Sequence, residues 1–205
     1  MWLTIFNVAI ILIIVAMTRS EGFWGNLLLM FNAIFAAILA SNLFEPFAEF
    51  MEGQSASFTY FWDFLGLWAL FAVIFAILRA ITDQISETKV RFKFPVELPG
   101  GLITSLICGW VVVCFFMFSL HTAPLARKNF GGAFGTAPDE TAFFMAPDHL
   151  WLGFLQSRSE GAFAKSTPTV FDPESDFILK YGQRRAQLEL LPGVTIDERG
   201  GRRRR

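Results

Sequence analysis

Four apolar runs crowd into the first 120 residues of this chain, at Trp2–Met17, Phe23–Phe44, Phe58–Leu78 and Leu102–Leu120. Nothing else in the sequence constrains the fold as strongly. A bilayer core about 30 Å thick calls for about 20 mainly apolar residues per helical crossing. Lipid offers backbone amides and carbonyls no partner, so each run is predicted to be helical. The expected fold class is an all-α membrane protein with four transmembrane helices, at about 2–18, 23–44, 58–79 and 101–120, arranged as two helical hairpins. The first run is short for a span, and Arg19 is expected to complete it by snorkelling to the interface.

Charge supports the same division. Only 17% of the 205 residues are charged, against about a quarter in soluble domains. Residues 1–120 hold five of the 17 basic residues, so twelve fall in the last 85 positions. The net charge of −1 averages an oily half and a polar half, and it points to no class of partner. Cys108 and Cys114 are six residues apart in one apolar run, about 9 Å along a helix, too far for a disulfide. With no histidine at ligand spacing they propose no metal site, and no cofactor is expected. No basic residue precedes the first run and no small-x-small site follows Met17, so that run reads as retained.

Basic residues in short loops orient the spans. The first loop has Arg19, and the third has Arg79, Lys89, Arg91 and Lys93. The second, over 45–57, carries Glu45, Glu49 and Glu52 and no basic residue. Loops one and three are therefore expected in the cytoplasm and both termini outside, although Arg127 and Lys128 argue the other way.

Residues 123–205 read as an extramembrane extension. A Gly-, Pro- and Ala-rich linker comes first, then an amphipathic helix at about 148–157 and a second helix at about 173–186, N-capped by Asp172 with Pro173 at its first position. The tail ends in Arg202 to Arg205 and is expected to be solvated, with no nucleic acid as partner.

Small residues recur every four positions in three runs. The rows are Ala33, Ala37 and Ser41; Ala72, Ala76 and Ala80; and Gly101, Ser105 and Gly109. Such rows let helices approach closely in lipid, either within one bundle or between copies. Asn7, Asn26, Asn32, Asn42 and Asp63 are the polar groups inside the runs. The asparagines suit interhelical hydrogen bonds. Asp63 lies near the start of its helix, where interfacial anchoring competes with an ion or proton site. Leu150, Trp151, Phe154 and Leu155 form an apolar stripe that fits a helix on the membrane surface. The core of a small domain and a partner-binding helix fit the same spacing. The Asp148-His149 pair invites a catalytic reading, but no nucleophile motif accompanies it. The chain is not expected to be an enzyme. Gly131-Gly132-Ala133-Phe134-Gly135 has the wrong spacing for a phosphate loop.

The tight first connection Arg19-Ser20-Glu21-Gly22-Phe23-Trp24-Gly25, the alanine-rich second helix, and the basic 79–93 loop leading into Gly101, Ser105 and Gly109 together resemble the CvpA (colicin V production protein) family, over about residues 1–122. Asn7 stands where the family usually has an early acidic residue, and Ser105 replaces a glycine. The resemblance implies a multi-pass protein of the bacterial inner membrane supporting colicin or toxin production and envelope homeostasis. It would act as a scaffold or assembly factor, with the bilayer, further copies of itself or another envelope protein as partners. An oligomeric small channel or transporter using Asp63 is the alternative, and an envelope enzyme using the C-terminal region a distant one.

Overall fold

The computed structural model describes residues 2–54, 59–86, 90–93, 95–125, 143–160 and 171–190. Six helices make up the regular structure there: α1 (Trp2–Thr18), α2 (Gly22–Gln54), α3 (Thr59–Ile85), α4 (Glu97–Thr122), α5 (Pro147–Glu160) and α6 (Phe177–Leu190). No strand occurs among the described residues. Three helices, α2, α3 and α4, are long and apolar enough to cross a membrane, while α1 is apolar but shorter. Most of the linker after α4, Lys89, Arg127, Lys128, Gly131–Gly135 and Arg202–Arg205 lie outside the described residues.

α2 and α4 form the centre. α3 packs along α2, α1 packs along α4, and α5 and α6 close over α4. Of the most apolar stretch of each long helix, 56% is buried in α4 and 44% in α2, but only 11% in α3. α3 is thus an outer helix, as is α1, in which only Leu3 and Asn7 are buried. The short Thr18–Gly22 connection does not make α2 the main neighbour of α1, whose close packing is against α4. A Cβ on Gly109 would come within 3.2 Å of Ile11 Cα, and this glycine is what allows α1 and α4 to approach backbone to side chain. Gly22, at φ +75°, takes the left-handed turn into α2 beside the Glu97 carboxylate.

Several helices depart from their expected bounds, α2 and α6 among them. α2 continues ten residues past Phe44, through Pro46, because Phe44 and Ala48 still face the core. α6 begins at Phe177 rather than near Pro173. Asp172 has φ +48°, and its Oδ1 accepts the amides of Asp176 (2.8 Å) and Phe177 (3.2 Å), so it caps the helix from across a turn.

The main core draws on both halves of the chain. Ala37, Ala40 and Phe44 of α2, Leu67 of α3, and Phe115 and Phe118 of α4 pack with Trp151 and Leu155 of α5 and with Phe177 and Tyr181 of α6. Phe118 and Phe177 stack at 4.9 Å between ring centroids. A second cluster joins Leu3 to Val113, Met117 and Leu120, fixing α1 on α4.

Candidate functional site

At one end of the bundle the C-terminal helices are clasped to the long apolar helices by buried charge. His121 closes α4, Asp148 is the second residue of α5, and α6 carries Lys180, Tyr181, Arg184 and Arg185. His121 Nε2 lies 2.9 Å from Asp148 Oδ2, and Arg185 Nη2 lies 3.5 Å from His121 Nδ1. A guanidinium only donates, so this network assigns Nδ1 as acceptor and Nε2–H as the donor to Asp148. Anion, neutral ring and cation then balance across three helices. All three side chains are at most 3% exposed. Burial pushes the Asp148 carboxyl up, but the hydrogen bond from His121 leads the opposing influences and the group stays below its ordinary 3.8.

A second set of contacts lies beside the first. Arg184 pairs with Asp63, donates to the Thr59 carbonyl at 2.7 Å, and approaches Glu52 at 3.4 Å. Its guanidinium also lies 5.4 Å from the Tyr60 ring centroid. Lys180 meets Glu45 at 2.7 Å on the surface. The basic face of α6 therefore meets the acidic end of α2 and the start of α3. Burial, with Asp63 and Glu45 nearby, pushes the Tyr181 phenol up, so it stays neutral.

A void of about 10 Å³ lies between His121, Tyr181, Arg184 and Arg185, room for about one water. His121 has both ring nitrogens engaged and no face open to a substrate. His149 Nε2 stands 3.7 Å from Asp148, beyond hydrogen-bond range. The Asp148-His149 pair singled out in sequence is thus close enough for an ion pair but makes no side-chain hydrogen bond. The side-chain hydrogen bond of Asp148 goes to a histidine 27 residues earlier. His121, Tyr181, Arg184 and Arg185 were missed by reading the sequence alone. One signal was available: Lys180 and Arg184 share a helix face and find their complement in Glu45, Glu52 and Asp63.

The small-residue rows separate in the structure. Ala33, Ala37 and Ser41 are buried in α2, and Gly101, Ser105 and Gly109 in α4. Ala72, Ala76 and Ala80 are exposed on α3, beside exposed Val73 and Ile77. The polar groups are largely engaged within the chain. Asn7 Nδ2 donates to Met117 Sδ at 3.3 Å, and Asn32 Nδ2 donates to Thr82 Oγ1 at 2.9 Å. Asn26 Nδ2 reaches Gly101 O at 3.1 Å and Ser105 Oγ at 2.8 Å. The α5 stripe divides. Trp151 and Leu155 are buried, with Trp151 Nε1 donating to Ser41 Oγ at 3.2 Å, whereas Leu150 and Phe154 face outward.

The opposite end gathers the connections that follow α1 and α3. Arg79 pairs with Glu21 at 3.2 Å, Trp24 Nε1 donates to Ser86 Oγ at 3.0 Å, and Glu97 Oε2 accepts the Phe92 amide at 2.8 Å. The two basic loops therefore share one end, and α5 and α6 occupy the other. No protein-family model matches this chain, and no curated protein or solved structure matches it either.

Proposed function

We propose that this chain is a scaffold of the bacterial inner membrane, which recruits a further copy or another envelope protein through the outer face of α3. The observation that carries this reading is the fate of the small-residue rows. Two are consumed inside the chain, and the third, Ala72–Ala76–Ala80, is left on an apolar helix with little burial of its own. In lipid, a row of that kind favours close helix contact where packing drives association. The proposal includes four crossings, with α1, about 25 Å long by its 17 residues, completed at the interface by Arg19. The positive-inside bias then places the basic end in the cytoplasm and both termini, with α5 and α6, outside. This is the kind of role that the CvpA resemblance implies, in support of toxin production or envelope homeostasis.

The channel or transporter alternative needs polar groups facing a path. Asp63 is engaged by Arg184, and Asn7, Asn26 and Asn32 donate inside the chain, which favours the scaffold. The test is photo-crosslinking in living cells with probes at Ala76 and, as the buried control, Ala37. Protein adducts from the Ala76 probe and none between chains from the Ala37 probe are the expected result. Lipid adducts alone from Ala76 would remove the scaffold reading.

A further inference from the structure

At the basic end a cavity of about 600 Å³ opens between the end of α1, the start of α2 and the first turns of α4. That volume lies in the range of small-molecule sites. Its lining has two characters. Arg19 and Arg91 supply cations, and Val15, Leu98 and Leu102 supply apolar surface, with Leu98 and Leu102 themselves 72% and 51% exposed.

The charge is unbalanced. Neither Arg19 nor Arg91 makes an ion pair among the described residues. Glu97, the acidic residue in the lining, has its oxygens turned to backbone amides. Oε1 accepts from Phe23 at 3.4 Å and Oε2 from Phe92 at 2.8 Å. Val96, the N-cap of α4, offers no side-chain oxygen to the leading amides of that helix, which adds a positive helix end to the cavity. The lining thus carries two cations without an ion-pair partner among the described residues and one carboxylate, a net positive charge.

We infer that this cavity is a binding site for one anionic phospholipid, its phosphate held between Arg19 and Arg91 and the start of an acyl chain lying on Val15, Leu98 and Leu102. A soluble anion would use the arginines and leave the leucines without purpose. A neutral lipid would use the leucines and leave both cations unbalanced. An anionic lipid satisfies both halves, and basic pockets between spans at a membrane surface suit such headgroups. The inference needs the helices to cross a bilayer, but it is independent of the scaffold role.

The experiment is native mass spectrometry of the full chain in neutral detergent, with equimolar phosphatidylglycerol and phosphatidylcholine. One phosphatidylglycerol is expected to be retained preferentially. At about 1 kcal/mol per basic residue, each of Arg19→Ala and Arg91→Ala is expected to weaken retention about fivefold. Lys93→Ala, a basic residue of the same end that does not line the cavity, is expected to leave retention unchanged. Circular dichroism melting of each variant separates lost binding from lost fold. Equal retention of the two lipids, an equal loss in Lys93→Ala, or full displacement by millimolar glycerol phosphate would each overturn the assignment. The last of these would show a headgroup site that does not use the apolar wall.

Discussion

The two ends of this molecule handle charge in opposite ways. At the end where α5 and α6 dock, Asp148, His121 and Arg185 neutralise one another in a space with about 10 Å³ to spare, and Arg184 is spent on Asp63. At the other, Arg19 and Arg91 border a 600 Å³ cavity without an ion-pair partner among the described residues. Charges that are buried and paired hold helices in one arrangement, because removing either partner strands the other in a poor solvent. Charges left beside open space can meet something that arrives. The first end is a fastening, and the second is a place to bind.

Four measurements break or sharpen that contrast. Three of them read the labelling rate of Cys114, which is buried in the core that α5 joins, in a Cys108→Ala background. The largest effect is expected from Asp148→Ala, which removes the carboxylate that accepts from His121 Nε2. A loss of about 3 kcal/mol would speed labelling by about a hundredfold. Labelling no faster than in the parent would mean that the buried triad is not what holds α5 down.

Acid should act on the same contact more mildly, since a protonated Asp148 keeps its place and one acceptor oxygen. Its folded value lies below 3.8, so its contribution is complete above that pH and is lost as pH falls through the folded value. Loss of the Asp148 charge is therefore expected to loosen the clasp below about pH 4, followed by hydrogen exchange of the α5 amides. Loosening between pH 6 and 5 would assign the switch to another group.

Trp151→Phe keeps most of the aromatic packing and removes the bond to Ser41 Oγ. A cost of about 1 kcal/mol corresponds to about fivefold faster labelling. The smallest effect belongs to the open end. Arg19→Ala, where the side chain is exposed and makes no ion pair among the described residues, should change labelling by less than about twofold. A large change there would show that the arginine supports the fold and would erase the distinction between the ends.

How much of this was legible beforehand differs from element to element. α1 to α4 follow from their apolar runs, since a run that long has few other uses, and the shared position of the two basic loops follows from chain direction across antiparallel helices. Helix ends were less visible. α2 continues past Phe44 because Ala48 finds the core, a fact that Glu45-Pro46 conceals. Asp172 was recognisable as a cap, but its positive φ moved the helix it caps to Phe177.

The sequence by itself determined the helical class, the apolar spans, and which residues share a face, because hydrophobicity and the 3.6-residue period are local properties. Tertiary structure alone decided what each face meets. Periodicity picks out three rows of small residues equally, yet Ala37 and Gly109 are enclosed and Ala76 is open. It marks Trp151 as apolar without revealing Ser41, 110 residues away, as its partner. It sets Asp148 beside His149, while folding joins it to His121. A partner distant in sequence is chosen by packing, and packing is a property of the whole chain.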